Sequence, residues 1–267
     1  MGPYILIRMK TLIWAVVVLA LLGAGFYAFT GSLSTSEQVT NTMRSSSVEV
    51  IPIEHASAIL RWSGATVYMD PTGGAQAFAG KPPADIVLVT DIHGDHFSTS
   101  TLGAVVGSST TLIVPQAVKD QLPAELSQRA KVLANDASLT EDGFNILAVP
   151  MYNLPDAANA NFHTKGRGNG YVISRDDTRV YIAGDTAGTP EMRALTGIDI
   201  AFVPMNLPYT MSVEEAADAV LAFEPKTVYP YHYRGEDGLS DVSKFKQLVS
   251  AGDSNIEVVL ANWYPDQ

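Results

Sequence analysis

Ten short segments rich in apolar and β-branched residues follow one another between Val48 and Trp263, and helical patterns separate many of them. Their length and composition are typical of β-strands. The segments are VEVIPI, ATVYMD, DIVLVT, TLIVP, FNILAVP, GYVIS, TRVYIAGD, IDIAFVPM, KTVYPYHY and IEVVLAN. The helical patterns fall at residues 99–106, 116–122, 190–195, 212–223 and 241–250. Strand groups interleaved with helices predict an α+β fold in which sheets lie between helical layers.

Composition limits what this chain can bind. It is 46% hydrophobic and 17% charged, so residues 48–267 can bury a sizeable core as one folded domain. Its 17 Lys and Arg against 28 Asp and Glu give a formal net charge of -11, which argues against a nucleic-acid partner. Because there is no cysteine, disulfides, thiolate metal ligands and a Cys nucleophile are excluded, and any metal must be held by nitrogen and oxygen.

The N-terminal residues 1–30 have the pattern of a signal or membrane anchor. Arg8 and Lys10 precede the apolar run from Leu12 to Phe29, which approaches the length of a bilayer span. The small residues after it match a cleavage site weakly, which favours an uncleaved anchor and leaves a cleaved signal open. Residues 31–47 are expected to form a polar tether. We therefore expect an extracytoplasmic domain, in the periplasm or on the outer face of the membrane, either anchored or secreted.

The hexapeptide Asp91-Ile-His93-Gly-Asp95-His96 is the strongest local signal for chemistry. It follows the apolar segment DIVLVT directly, so it is expected on a loop at the carboxyl end of a strand. A tight loop can turn such side chains to different sides, so that His93 serves one metal ion while Asp95 and His96 serve another about 3.5–4 Å away. The cluster predicts a metal site rather than a set of structural polar residues.

Three further residues are candidates to join this cluster. Asp185 ends the segment TRVYIAGD, His232 lies near the end of KTVYPYHY, and His163 lies beside a glycine-rich segment. Functional side chains often lie on loops that a scaffold of strands positions. The recurrence of potential ligands at strand ends therefore predicts that they converge at one edge of the sheets.

Residues 91–96 resemble the H-x-H-x-D-H signature of the metallo-β-lactamase superfamily. The segments AGDT (183–186) and YPYHY (229–233) resemble the later Asp and His motifs of that superfamily, in the same order. The segment FHTKGRGNGYVI is similar to FHPKG-x-G-x-GYVI of its lactonase-like and phospholipase-like branch. The resemblance covers Val48 to Trp263. It implies a four-layer αββα sandwich, one or two metal ions, and attack by a metal-bound hydroxide.

The resemblance also implies a ligand set, with two departures from the signature. The second metal position is intact, and Asp185 is its expected bridging carboxylate. In the first position, Asp91 replaces a histidine but can ligate through oxygen, and Asn153 stands where many members have a histidine, so His163 could take its place. The expected metal is zinc, with manganese or iron as alternatives. The full set of metal ligands is Asp91, His93, Asp95, His96, His163, Asp185 and His232.

The predicted activity is the hydrolysis of an ester, lactone or phosphodiester bond in a small-molecule or lipid-like substrate. Asp95 would orient the attacking water and accept its proton, and so is the expected catalytic residue. Two alternatives stay open: a non-catalytic or mononuclear metal-binding module, and a lipid-directed phosphodiesterase with an apolar groove beside the metals. Hydrolysis of β-lactams is a weaker alternative because the resemblance points to another branch.

Other residues allow both a functional and a structural interpretation. Lys165 and Arg167 could meet an anionic group, with glycines allowing its close approach, or could be solvated loop charges. By their place in the superfamily, Tyr209, Tyr233 and Arg234 could line the pocket, although tyrosines at strand ends are more often packing residues. His55 alternates with apolar positions of an expected strand, which favours a structural histidine over a ligand. Asp70 resembles a structural Asp-Pro turn of the superfamily and is assigned no chemistry.

Overall fold

The computed structural model describes residues 48–265. The expected anchor and tether lie outside these residues. Within them, no helix is both long enough and apolar enough to cross a bilayer.

The first of two large sheets has six strands in sequential order. Its first three strands pair antiparallel, and from the third strand onward the pairing is parallel. The strands are β1 (Glu49–Glu54), β2 (Ser57–Trp62), β3 (Ala65–Met69), β4 (Ile86–Leu88), β5 (Thr111–Val114) and β6 (Lys131–Val132).

The second sheet has seven strands, in the order β15-β12-β11-β10-β9-β8-β7. Its first four strands along the chain pair antiparallel, and the later strands pair parallel. They are β7 (Ser138–Glu141), β8 (Phe144–Met151), β9 (Gly168–Arg175), β10 (Thr178–Ile182), β11 (Ile200–Pro204), β12 (Thr227–Tyr231) and β15 (Glu257–Val258). A short hairpin joins β13 (Arg234–Gly235) to β14 (Gly238–Leu239).

Within residues 48–265, seven helices flank the sheets. The first four are α1 (Gly74–Ala77), α2 (Thr99–Val105), α3 (Gln116–Lys119) and α4 (Ala124–Arg129). The other three are α5 (Pro190–Arg193), α6 (Val213–Phe223) and α7 (Val242–Gly252). Helix α6 begins with a capping box, in which Ser212 Oγ accepts from the Glu215 amide at 3.1 Å and the Glu215 carboxylate accepts from the Ser212 amide at 2.8 Å.

Alternate side chains of the first sheet enter two different cores, as the period-two geometry of a strand requires. Leu60 and Leu88 face the second sheet and belong to the same cluster as Phe144 and Tyr171. On the other face, strand residues pack with residues in or next to the helices that follow β3 to β5. The strand residues are Ile59, Tyr68, Val87 and Leu112, and the residues on the helix side are Phe78, Leu102, Val118 and Leu126. On the far side of the second sheet, Tyr181 packs against Phe223 of α6. The predicted four-layer αββα arrangement is confirmed.

Each of the ten predicted strand segments contains a strand, but the sequence interpretation missed several elements. The largest is β2, which pairs antiparallel with β1 after a tight turn at His55. His55 adopts a positive φ of 54° and therefore lies in the turn rather than inside a strand, contrary to the prediction. Short elements were also missed: β6, β7, β13, β14, α1 and α4.

Candidate metal centre

The seven predicted ligands lie on loops that follow strands and converge at one edge of the molecule. Four of them follow β4, where the amides of His96 and Phe97 both donate to the carbonyl of His93 and form a tight turn. The other three lie between β8 and β9, directly after β10, and directly after β12: His163, Asp185 and His232.

Three buried side chains from different loops meet at the centre of this edge. His96 Nε2 and His232 Nε2 are 3.1 Å apart. Asp185 Oδ1 lies 3.4 Å from His96 Nε2 and 3.5 Å from His232 Nε2. Asp95 Oδ2 lies 3.1 Å from His232 Nε2 and adds a fourth donor. Two nitrogen ligands about 2.0–2.1 Å from a tetrahedral zinc ion would be about 3.3 Å apart, so this spacing fits one shared cation.

An unpartnered buried oxygen indicates that a cation belongs here. Asp185 Oδ1 is buried and accepts no hydrogen bond from any residue in 48–265, although two imidazole nitrogens lie beside it. A buried carboxylate oxygen without a donor costs free energy, and a divalent ion would remove that cost. Asp95, His96, Asp185 and His232 therefore fit a divalent metal ion, and their nitrogen and oxygen donors suit zinc, manganese or iron.

The electrostatics keep the carboxylates of this group ionised. Burial would raise the pKa of Asp95, but the hydrogen bond from His232 and the nearby His96 outweigh it and lower that pKa well below its ordinary value. Burial acts in the same direction on Asp185, and His232 and His96 again outweigh it, so the pKa of Asp185 is also well below its ordinary value. Both groups are therefore charged at neutral pH and ready to bind a cation.

Asp70 fixes the orientation of His96, a role that the sequence did not suggest. Its carboxylate is fully buried and accepts from the Thr90 amide at 2.7 Å and the Thr90 hydroxyl at 2.6 Å. His96 Nδ1 lies 2.8 Å from Asp70 Oδ2 and donates to it. The other ring nitrogen, Nε2, is thus directed toward the centre, as in many metal sites where a carboxylate holds a histidine ligand. The only sequence signal was an Asp-Pro pair at a strand end.

A second group of potential ligands consists of Asp91, His93 and His163. His163 Nδ1 donates to the Tyr209 carbonyl at 3.2 Å, which leaves Nε2 bare, 3.2 Å from Asp185 Oδ2 and 3.9 Å from Asp91 Oδ2. This Nε2 is buried and has no hydrogen-bond partner within residues 48–265. The geometry is thus compatible with the expectation that His163 takes the place of a histidine at position 153.

Asn153 itself holds loops together. Its side-chain amide donates to the carbonyls of Asn159 and Tyr209, each at 2.8 Å. The two loops beside His163 are therefore connected through this buried amide.

Lys165 and Arg167 both pair with carboxylates of the same chain. Arg167 donates to both oxygens of Asp91, from Nε at 3.0 Å and from Nη2 at 2.8 Å. Lys165 pairs with Glu191 and lies over the ring of Tyr152. The sequence suggested that Arg167 binds an anionic group or is a solvated loop charge, and neither role includes its buried pair with Asp91.

A cleft of about 210 Å³ opens beside the centre. It is lined by His93, Asp95, Phe162, His163, Asp185, Asn206 and Tyr209. Phe162 and Tyr209 are both partly exposed and contact each other edge to face, with centroids 5.2 Å apart. Of the two uses that the sequence left open for Tyr209, it therefore has the first and lines the cleft. Tyr233 is buried against Tyr264 and does not line it.

His55 lies behind His232 with both ring nitrogens occupied. The Tyr264 hydroxyl lies 3.0 Å from Nδ1, and Arg234 Nη2 donates to Nε2 at 2.7 Å. Burial, His232 and Arg234 lower the pKa of His55 from 6.5 to about 4. Although His55 lies near Asp95 and His232, it presents no free donor atom, as expected of a structural histidine.

Residues 49–232 match the family described as the beta-lactamase superfamily domain. The chain belongs to this superfamily. A UPF0173 metal-dependent hydrolase of Pyrococcus abyssi is 32% identical over 225 residues, covering 80% of this chain and 96% of the relative. A similar hydrolase of Thermococcus kodakarensis is 30% identical over 222 residues, covering 80% and 96%.

Solved structures of superfamily members agree with this assignment. A crystal structure described as a metal-dependent hydrolase from Parabacteroides distasonis is 36% identical, with a TM-score of 0.71 over 80% of this chain and 92% of that one. A metallo hydrolase from Ignicoccus hospitalis is 20% identical and supports the fold alone, with a TM-score of 0.67 over 80% and 95% of the two chains. This superfamily member is a metal-dependent hydrolase with the metallo-β-lactamase fold.

Proposed function

We propose that this hydrolase uses a zinc ion held by Asp95, His96, Asp185 and His232 to cleave an ester, lactone or phosphodiester bond. The observation that carries the proposal is the convergence of these donors around the unpartnered Asp185 Oδ1. A bound divalent ion lowers the pKa of water from about 15.7 to about 7 and polarises the oxygen of the scissile group.

Asp95 is the residue best placed to act on the attacking water. Its side chain is 38% exposed, lines the cleft and lies 3.1 Å from His232 Nε2. Because its carboxylate is ionised, it can accept a hydrogen bond from a water molecule in the cleft and take its proton during attack. Asp185, which is only 3% exposed, lacks this access to solvent and is suited to hold the cation.

The walls of the cleft favour a substrate with an apolar group next to the scissile bond. Phe162 and Tyr209 form one wall, and Phe162 also borders a neighbouring groove lined in part by Ala157, Leu207 and Pro208. Leu207 is 50% exposed. An acyl chain placed on this surface would remove apolar area from water, which contributes about 25 cal/mol of favourable free energy per Å². This observation also supports the lipid-directed alternative.

The first test combines metal content with a substrate series. We expect the purified protein to retain zinc by elemental mass spectrometry and to hydrolyse p-nitrophenyl esters, an acyl lactone or bis-p-nitrophenyl phosphate. Chelation should abolish the activity and added zinc should restore it. Among active substrates, kcat/KM should rise with acyl chain length.

Asp185→Asn should lose both metal and turnover. The matched control is Asp177→Asn, an exposed turn residue that should retain both. Metal binding without turnover of any substrate would favour the non-catalytic alternative, and no metal binding even after reconstitution would overturn the proposal.

A further inference from the structure

The charged pair at the edge of the centre, Asp91 and Arg167, gives Asp91 an environment unlike that of the other carboxylates. The Asp91 side chain is fully buried and that of Arg167 is 18% exposed. The guanidinium binds both carboxylate oxygens at 3.0 and 2.8 Å. Such two-pronged pairs are geometrically specific and are stronger than single hydrogen bonds. The Arg167 guanidinium thus neutralises the charge of the Asp91 carboxylate.

The local backbone brings the two side chains together. Gly168 follows Arg167 at the start of β9, and a Cβ atom there would lie 2.7 Å from the Thr90 carbonyl oxygen and would also collide with Met151. The next amide, that of Asn169, donates to the same Thr90 carbonyl at 2.9 Å. The chain at 167–169 therefore lies directly against the residue that precedes Asp91.

The hydrogen bonds of Asp91 contrast with those of Asp185. Oδ1 of Asp91 accepts from Arg167 Nε, and Oδ2 accepts from Arg167 Nη2 and lies 2.9 Å from His93 Nδ1. Asp185 Oδ1, in contrast, accepts from no residue in the described part of the chain. A cation on Asp91 would have to approach a carboxylate already neutralised by a guanidinium.

The contact between Asp91 and His93 indicates a role for Asp91 other than metal binding. When His93 Nδ1 donates to Asp91, the Nε2 atom of the same ring is left without a proton and can bind a metal. His93 is 40% exposed and lines the cleft. A similar relation holds between Asp70 and His96, where a buried carboxylate fixes one ring nitrogen and directs the other toward the centre.

We propose that Asp91 is not a metal ligand but a positioning residue, which Arg167 holds in place so that it fixes the orientation and tautomer of His93. This proposal rests on the proposed function and adds a second metal position with His93 and His163 as ligands; it replaces the sequence-based expectation that Asp91 binds metal through oxygen. The superfamily signature that residues 91–96 resemble has a histidine at this position. Here the Asp91–Arg167 pair supports His93 without binding the metal itself.

The test is the absorption spectrum and affinity of the cobalt(II)-substituted protein, because the visible bands of cobalt(II) report its direct ligands. In Asp91→Asn the band positions should stay unchanged while cobalt affinity falls roughly 10- to 100-fold, as when a residue that orients a metal-binding histidine is removed. His93→Ala should shift the bands, and unchanged bands in this variant would show that His93 binds no metal and would overturn the proposal. Arg167→Lys, which keeps the charge but loses the two-pronged geometry, should lose less affinity than Arg167→Met.

A second variant is needed as a control, because Asp91→Asn leaves the Arg167 charge buried without its partner and could prevent folding. Asp91→Asn/Arg167→Gln removes both charges and should retain the band positions with reduced affinity. Altered bands, loss of one metal equivalent in either Asp91 variant, or increased affinity in Arg167→Met would show that Asp91 is a ligand and overturn the proposal. If the unsubstituted protein binds no metal, the proposed function itself fails; if it binds metal and only these results differ, the function stands.

Discussion

At the scale of single residues, the centre depends on which nitrogen of each imidazole is left free. Asp70 fixes His96, and the Tyr209 carbonyl fixes His163. In both cases the hydrogen bond engages Nδ1 and directs Nε2 toward Asp185. The residues that hold the ligands therefore prepare the centre before any cation binds.

Asp70→Asn should weaken metal binding without removing a ligand. The amide that replaces Oδ2 would donate to His96 Nδ1, and His96 would then carry its proton on Nε2, the atom required for the metal. We expect the dissociation constant for zinc to rise about 10- to 100-fold. Competition with a chromophoric chelator measures it. An unchanged constant, equal to that of Asp177→Asn, would show that Asp70 has only a structural role.

His55 should make stability depend on pH. Because the pKa of His55 in the folded protein is about 4, below the ordinary 6.5, its neutral form contributes stability that is fully present above pH 6.5 and is lost as the pH falls toward 4. His55→Gln keeps one donor and one acceptor but cannot titrate. Urea unfolding across this range should show a smaller loss of stability in the variant. An equal loss in both proteins would contradict the prediction.

At the scale of elements, the sequence predicted strands better than turns. The sequence predicts His55 on a strand because the turn at His55 contains no Gly, Pro or Asn, the usual turn signals. The chain reverses there because His55 adopts a positive φ and is held by Arg234 and Tyr264, which are distant in sequence. A local pattern cannot show a turn that depends on distant side chains.

Substitution by alanine should lower the free energy of unfolding at Gly168 and raise it at Gly103. Gly168→Ala would place a Cβ against the Thr90 carbonyl, so we expect a loss of about 1–3 kcal/mol in the free energy of unfolding. Gly103 lies within α2 with open space around it, and Gly103→Ala should gain up to about 1 kcal/mol through helix propensity. Urea denaturation measures both. A neutral Gly168→Ala would mean that β9 can move away from Thr90.

At the scale of the whole molecule, the sequence predicted which residues gather but not how they are held. The strand-end positions of the ligands followed from local patterns, since carboxyl ends of neighbouring strands share an edge. The Asp91–Arg167 pair joins residues 76 positions apart, and the Asp70–His96 pair joins residues 26 apart. Such pairs depend on how the loops pack, and no spacing rule in a single sequence indicates them.

The predicted N-terminal anchor determines where the full chain should be found. If residues 1–30 remain attached, we expect the protein in the membrane fraction, with the hydrolase domain accessible to protease added to the outer face. N-terminal sequencing of the mature protein would show whether the segment is cleaved. Recovery of the full-length chain in the cytoplasmic fraction would contradict the prediction.

The four proposed ligands follow strands of both sheets. Asp95 and His96 follow a strand of the first sheet, and Asp185 and His232 follow strands of the second. A cation shared by them joins the two halves of the chain and stabilises their assembly, by about 2.7 kcal/mol when its free concentration is 100 times the dissociation constant. Because His232 follows β12, one of the last strands to be synthesised, a growing chain cannot complete the centre early. If these four residues are the ligands, metal loading is a late step in the maturation of this protein.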